Sequence, residues 1–304
     1  MHRIIIAALV LFAAVPNNSS AQAPATDSQK AILVTGASTG IGRKITERLA
    51  ADGYFVYAGA RKDADLKALG AIKNVQALRL DVTKPEEIDA AVATVTQGGR
   101  GLYGLVNNAG VASGAPLIET KPEEFDVTMA VNVYGPYRMT KAFAPLIIAG
   151  RGRIINIGSI SGILSVPELG AYQMSKHAIE SFTDVLAQEL APSGVVVSVV
   201  EPGSYNSEIG KNALARTGTG AKYADRSKFK EPDEVAAAIE LALFEPQPKR
   251  RYMVVPNQKQ AEVTIRTQIE QLVQLNEGQP YTYDRAALVK MLDDALAHAR
   301  PGTK

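Results

Sequence analysis

Two tyrosines in this chain stand four residues before a lysine: Tyr137 before Lys141, and Tyr172 before Lys176. On a helix that spacing brings both side chains to one face. A free phenol has a pKa of about 10 and is a poor proton donor or acceptor near neutrality. A neighbouring ammonium favours the phenolate and draws the group toward the working range. Such a pair can exchange a proton with a reacting alcohol or carbonyl. Context separates the two candidates. Thirteen residues before Tyr172 stands Ser159, just past the apolar run Arg153–Ile157. In an open α/β sheet ligands bind outside the carboxyl ends of the strands, so Ser159 is placed to hydrogen-bond a substrate oxygen. The position thirteen before Tyr137 is Glu124, within a helical pattern, so Tyr137 is expected to be a packing residue.

A second constellation lies near the N-terminal end. Gly36, Gly40 and Gly42, within Thr35-Gly36-Ala37-Ser38-Thr39-Gly40-Ile41-Gly42, join an apolar run to a helical pattern. Glycines there permit a tight turn and close approach of backbone N–H groups to a pyrophosphate. The helix N-terminus adds the positive end of its dipole. The spacing, Gly-x3-Gly-x-Gly, differs from the Gly-x-Gly-x2-Gly of many dinucleotide sites, but the strand-to-helix setting is the one such a motif needs. The next strand ends in Arg61 and Lys62, with no acid at its tip. A carboxylate there would hold the ribose 2′-hydroxyl of NAD, whereas a cation suits the 2′-phosphate of NADP. NADP(H) is therefore the expected cofactor and NAD(H) the lesser alternative, for which Asp63 is the only candidate contact. Asp81, followed by Val82, closes the third strand and can contact an adenine or cap the following turn.

These residues need a frame, and the chain supplies one. From Lys30 onward, short apolar runs alternate with helical patterns, as βαβ units and a parallel sheet require. Strands are expected at Ala31–Thr35, Phe55–Ala60, Val75–Leu80, Gly104–Asn107, Arg153–Ile157, Val195–Val200 and Tyr252–Val255, and helices near 41–52, 85–97, 122–148, 170–191 and 231–244. The fold class is α/β, a Rossmann-type doubly wound parallel sheet of about seven strands with helices on both faces. One catalytic domain spans 30–256. It includes a lid at 204–230 that lacks periodicity and reads as a long loop, and a helical extension fills 257–304.

In this order the motifs resemble the short-chain dehydrogenase/reductase superfamily, in its single-domain branch. The resemblance covers about residues 30–256 and rests on Thr35–Gly42, Asp81, Asn107-Asn108-Ala109-Gly110, Asn132, Ser159, Tyr172 with Lys176, and Pro202-Gly203. It implies that Tyr172 gives or takes the substrate proton and that Lys176 binds the nicotinamide ribose and depresses the tyrosine pKa. It also implies that Ser159 polarises the carbonyl and that Asn132 holds a water relaying protons from Lys176 to solvent. Gly36, Ser38, Thr39, Gly40, Ile41, Gly42, Asn108, Ala109 and Gly110 would line the cofactor, with Pro202 and Gly203 bounding the nicotinamide. Ser207 stands where the family usually has a threonine against the nicotinamide amide. The run Tyr172–Gly203 is similar to members acting on retinol, steroids and 3-hydroxy acids. The implied activity interconverts an alcohol and a carbonyl; a protein that only binds NADP(H) and senses redox state is the alternative. Relatives of this kind usually form homodimers or homotetramers.

Composition narrows the partners. The 304 residues carry 33 basic and 31 acidic side chains, a net +2, so no nucleic-acid partner is implied. With no cysteine there is no disulfide or thiolate site, and His2, His177 and His298 form no metal-ligand spacing. The partner is a small-molecule carbonyl or alcohol. Arg3, the twelve apolar residues Ile4–Val15 and Ala21-Gln22-Ala23 read as a secretory signal, too short to span a bilayer. Export is expected, with no integral membrane domain after processing; a retained anchor or a downstream start are the alternatives. Six basic lid residues, Lys211, Arg216, Lys222, Arg226, Lys228 and Lys230, either favour an anionic substrate or form a solvated face.

Overall fold

Along the run Ala31-Ile32-Leu33-Val34, side chains alternate between two apolar layers, and neither layer is open to solvent. Ile32 and Val34 enter one layer, Ala31 and Leu33 the other. A strand buried on both faces is what covering helices on both sides of a parallel sheet produce. The computed structural model describes residues 29–223 and 225–299. The segment read as an export signal lies outside them.

Seven strands form one sheet: β1 (Ala31–Val34), β2 (Phe55–Ala60), β3 (Val75–Arg79), β4 (Gly104–Asn107), β5 (Arg153–Ile157), β6 (Val196–Pro202) and β7 (Arg251–Val254). Every pairing is parallel, and the order is β3-β2-β1-β4-β5-β6-β7. The order reverses between β1 and β4, and the crevice at that switch is where such sheets bind ligands. One face packs on α1 (Gly40–Ala51) and α8 (Asp233–Phe244) through Ile45, Leu49, Val235 and Ile239. The other packs on α3 (Pro85–Gln97), α5 (Tyr134–Ala149) and α6 (Gly170–Leu190) through Ile88, Phe143 and Ala187. This is the expected Rossmann-type α/β architecture.

Three elements depart from expectation. A short helix, α2 (Asp63–Gly70), follows β2; Asp63 and Asp65 in its first turn suit the positive dipole end. The helix expected over 122–148 is two, α4 (Pro122–Asn132) and α5, broken at Val133. Pro136 is the cause: it has no N–H to give the Asn132 carbonyl, so the ladder of α4 cannot run on. The lid is no plain loop, because α7 (Ile209–Thr217) forms inside it. Beyond β7 lie α9 (Gln258–Asn276) and α10 (Arg285–Ala299). No helix of the described residues is long and apolar enough to cross a membrane.

Candidate active site

The carboxyl ends of β1, β4, β5 and β6 open into one cleft of about 300 Å3. Its floor is the glycine turn between β1 and α1. Gly36 has φ +63°, a left-handed conformation that favours glycine, and a Cβ there would lie 2.9 Å from the Ala109 Cα. A Cβ on Gly42 would lie 2.3 Å from the Gly36 carbonyl oxygen. Asn108 locks the turn from β4: its Nδ2 donates to the carbonyls of Thr35 (2.8 Å) and Gly36 (3.0 Å). The Thr35 hydroxyl accepts from the backbone N–H groups of Asn108 and Ala109, each at 3.0 Å. Asn108 thus lines the cleft by holding the turn.

Thr39 precedes α1 in extended conformation without capping it by its side chain, and α1 has no acid in its first turn. The leading N–H groups of α1 therefore face the cleft without a side-chain acceptor from that cap. A pyrophosphate fits this end of the helix in charge and in donors. Gly36, Ser38, Thr39, Gly40, Ile41 and Gly42 all line the cleft, as do Asp81, Val82, Ala109 and Gly110. Pro202, Gly203 and Ser207 close its far side.

At the tip of β2, Arg61 lines the cleft, its side chain 64% exposed and 3.8 Å from the Asp81 carboxylate. Lys62 does not join it: this residue is exposed, directly precedes α2 without capping it by its side chain, and lies outside the cleft lining. Asp63 is paired with Arg79, which also donates to the Arg61 carbonyl at 2.7 Å. Asp81 accepts from the Thr83 hydroxyl (2.7 Å) and N–H (2.9 Å), the turn-capping arrangement. Burial works to raise its pKa, but those two bonds with the charges of Arg61 and Lys84 hold it below the usual carboxylate value.

The reacting end is built by β5 and α6. Ser159 follows β5; its hydroxyl accepts from the Ser161 N–H at 3.0 Å and faces Tyr172. Tyr172 and Lys176 share a face of α6 and both line the cleft with Ser159. Lys176 is buried, and its Nζ donates to the Ile157 carbonyl at 2.7 Å. Burial brings its pKa down to about 8, with the nearby Glu180 acting in the opposite sense. Tyr172 goes the other way from the expectation. Burial pushes its phenol above the ordinary value, while the neighbouring Ser159 hydroxyl and the charge of Arg226 act downward. The Arg226 guanidinium is one cation that acts on the phenol in this geometry. The Lys176 ammonium is turned to a backbone carbonyl, 5.7 Å from the centre of the tyrosine ring.

The Asn132 side chain is tied to the segment after β4 and to α6. Its Oδ1 accepts from the Val111 N–H at 2.8 Å; its Nδ2 donates to the Val111 carbonyl at 2.8 Å and the Ser175 hydroxyl at 2.9 Å. Both amide hydrogens are engaged and the residue does not line the cleft. It positions the segment after β4 and ties it to α6. Tyr137 is 49% exposed, on the surface of α5 rather than packed within it, and Lys141 lies along its ring. His177 is exposed, its Nδ1 against the Gln173 carbonyl at 2.9 Å.

Sequence reasoning missed several lining residues. Gln173, beside Tyr172, is buried and accepts from the Val166 N–H at 3.1 Å. From the lid come Ile209 and Asn212, joined by Arg226, one of the six basic lid residues the sequence singles out. Gln260 of α9 accepts from the Ser204 N–H at 2.9 Å and fixes the turn after β6. A buried chain of side chains, Thr140–Asn107–Asn156–Thr183, crosses β4 and β5 behind the site. Among the described residues no cluster of three or more histidine or acidic side chains could hold a metal.

Comparison with known proteins agrees with this geometry. The family model described as short chain dehydrogenase matches residues 30–217. The mitochondrial D-beta-hydroxybutyrate dehydrogenase of Mus musculus is 38% identical over 188 residues, 59% of this chain and 55% of that protein. The chain thus spans only about half the length of that relative. An NADPH-dependent 3-dehydrocapnine reductase of Ornithobacterium rhinotracheale is 34% identical over 247 residues, 74% of this chain and 87% of that protein. The crystal structure of a short chain dehydrogenase from Burkholderia cenocepacia J2315 in complex with NADP superposes with a TM-score of 0.68 at 26% identity. It covers 83% of this chain and 99% of the solved one. The sheet order, the glycine turn and these matches agree: the chain belongs to the short-chain dehydrogenase family.

Proposed function

We propose that the protein is an NADP(H)-dependent oxidoreductase that interconverts an alcohol and a carbonyl, with Tyr172 as the acid and base. The observation that carries this reading is the convergence of Ser159, Tyr172 and Lys176 on the cleft into which the glycine turn opens. NADP(H) is favoured over NAD(H) by two features at the tip of β2. Arg61 lines the cleft, and Asp63, the carboxylate able to hold a ribose 2′-hydroxyl, is paired with Arg79. The Ornithobacterium relative is named NADPH-dependent and the Burkholderia structure holds NADP, which supports the same choice.

Hydride transfer is the chemistry the dinucleotide supplies when bound. The chain does the rest. The Ser159 hydroxyl donates to the carbonyl oxygen and orients it. Tyr172 Oη gives its proton to that oxygen during reduction and takes one back during oxidation. A phenol held protonated by burial suits the first role. Lys176 supplies a positive charge behind the tyrosine, fixed in place by the Ile157 carbonyl.

The test follows NADPH absorbance against a panel of ketones, aldehydes, steroids and 3-oxo acids. Tyr172→Phe should lower turnover about 10²- to 10⁴-fold, the range of positioned acid–base catalysis. It should leave the Kd for NADPH within a few-fold, and Tyr137→Phe should change neither. Turnover retained in Tyr172→Phe overturns the assignment. Tight NADPH binding without oxidation by any carbonyl would mark a binding protein instead.

A further inference from the structure

Among the described residues, the lid contributes one cation to the reacting end of the cleft, and no carboxylate pairs with it. Of the six basic lid residues, four are matched with carboxylates: Lys211 with Glu208, Arg216 with Glu124, Lys222 with Glu168 and Lys230 with Glu234. Lys228 is exposed and outside the cleft. Arg226 differs from all of these. It lines the cleft beside Tyr172 and also a small recess of about 30 Å3 behind it, and no carboxylate pairs with it among the described residues. Its Nε is buried without a hydrogen-bond partner.

A second buried donor lines the same cleft. Gln173 lies seven residues after Val166, and its Oε1 accepts from the Val166 N–H at 3.1 Å, which fixes the amide's orientation and leaves Nε2 as the free donor. That Nε2 is buried without a partner. Among the described residues, Gln173 Nε2 and Arg226 Nε are the two buried side-chain nitrogens in this condition, and both residues line the cleft at Tyr172. A buried donor left without an acceptor is costly, by roughly 1–3 kcal/mol and more for a charged group, so such groups mark where an acceptor is meant to sit. A guanidinium and an amide N–H together are a receptor for an oxyanion.

We propose that Arg226, assisted by Gln173, binds an anionic group of the substrate within a few bonds of the reacting carbonyl, a carboxylate in the simplest case. This deepens the proposed function and rests on it. Because the guanidinium lines the same small recess as Tyr172, the anion is near the reacting carbon and not at the end of a long tail. The substrate class is therefore a short-range oxo acid and its hydroxy acid. The charge reaches two groups at once: it holds the substrate and lowers the phenol's proton affinity, against the burial that raises it.

The experiment compares 3-oxo acids of increasing chain length with their methyl esters, which keep the reacting ketone and lose the charge. The readout is the ratio of kcat/KM for acid over ester. Wild type should favour the acid. In Arg226→Met the ratio should fall roughly 10- to 100-fold, the range of a charge-assisted hydrogen bond. Arg226→Lys should recover part of it, and Gln173→Leu should lower it by less. Lys228→Met should leave the ratio where it was. A wild type that reduces the esters as well as or better than the acids overturns the anion site while leaving carbonyl reduction standing. Equal losses on acid and ester in Arg226→Met also overturn it, because they mark a structural residue. A raised Kd for NADPH in that variant, with the ratio intact, would put the guanidinium on the cofactor. No turnover of any carbonyl sinks the proposed function itself.

Discussion

The Lys176 ammonium donates to the carbonyl of Ile157 at 2.7 Å, at the last residue of β5, from a position one helical turn beyond Tyr172. The bond fixes the charge in a buried place and draws it toward the sheet rather than onto the phenol. Burial there lowers the lysine pKa to about 8. If the charged form is the working one, carbonyl reduction should decline as pH rises through about 8. That limb of the kcat/KM profile should vanish in Lys176→Met, whose remaining activity is low. Stability carries the same signature. A lysine whose folded pKa lies below its unfolded value destabilises the fold while it is charged, so the wild type gains relative to Lys176→Met between about pH 8 and 10.5. A profile with the same limb in both proteins would assign it to another group.

Arg61 and Asp63 make opposite predictions for cofactor choice. Arg61→Asp should weaken NADPH binding roughly 10- to 100-fold, as loss of a charge-assisted contact does, and shift preference toward NADH. Asp63→Asn should not shift preference, because Asp63 faces Arg79. Titration of both cofactors by fluorescence decides between them. An unchanged preference in Arg61→Asp would move the 2′-phosphate contact elsewhere along the cleft.

The strands and the site's skeleton were legible in the sequence because both depend on local pattern. A strand buried on both faces must be apolar throughout, and β1, β5 and β6 lie within two residues of where that rule puts them. The glycine turn was legible for a similar reason, since φ +63° at Gly36 is a conformation side chains resist. What stayed hidden depends on distant contacts. The break between α4 and α5 was signalled by Pro136, but the bonds of Asn132 to Val111 and Ser175 needed the assembled fold. Likewise, nothing in the spacing of Arg226 said that it would face Tyr172 while Lys222, four residues earlier, would pair with Glu168. Lid side chains are sorted by tertiary geometry, and that geometry has no period.

Behind the site, Glu180 and Glu201 form a buried carboxyl pair against Arg251, whose Nε lies 3.2 Å from Glu180 and 3.7 Å from Glu201. Burial and the neighbouring Glu180 carboxylate push the Glu201 pKa up to about 8. A carboxyl whose folded pKa exceeds its ordinary value of 4.5 holds its proton more tightly in the native state. Its contribution is therefore present at low pH and lost as pH rises from about 4.5 through 8. Glu201→Gln cannot titrate, so its stability should fall less than that of wild type between pH 5 and 9. Urea midpoints at both pH values measure this, and parallel losses would mean that the pair does not hold a proton in the fold.

Gly42 offers the sharpest test of the cofactor cradle, because two effects of one methyl group oppose each other there. Gly42 lies in α1 with no positive φ, so its backbone tolerates alanine. Helix propensity alone would make Gly42→Ala stabilising by about 0.5–1 kcal/mol. Contact says otherwise. The new Cβ would lie 2.3 Å from the Gly36 carbonyl oxygen and 2.4 Å from Asn108 Nδ2, the two partners whose hydrogen bond closes the turn. Relief requires the turn to open or Asn108 to leave. Overpacking of this kind costs about 1–3 kcal/mol, which outweighs the propensity gain. Gly42→Ala should therefore melt below wild type and bind NADPH weakly. Gly70→Ala, at the end of α2 with nothing within 4 Å of its added Cβ, should melt at or above wild type with NADPH binding unchanged. If Gly42→Ala behaves like Gly70→Ala, the turn yields to a methyl group and its glycine is not what holds the cradle open.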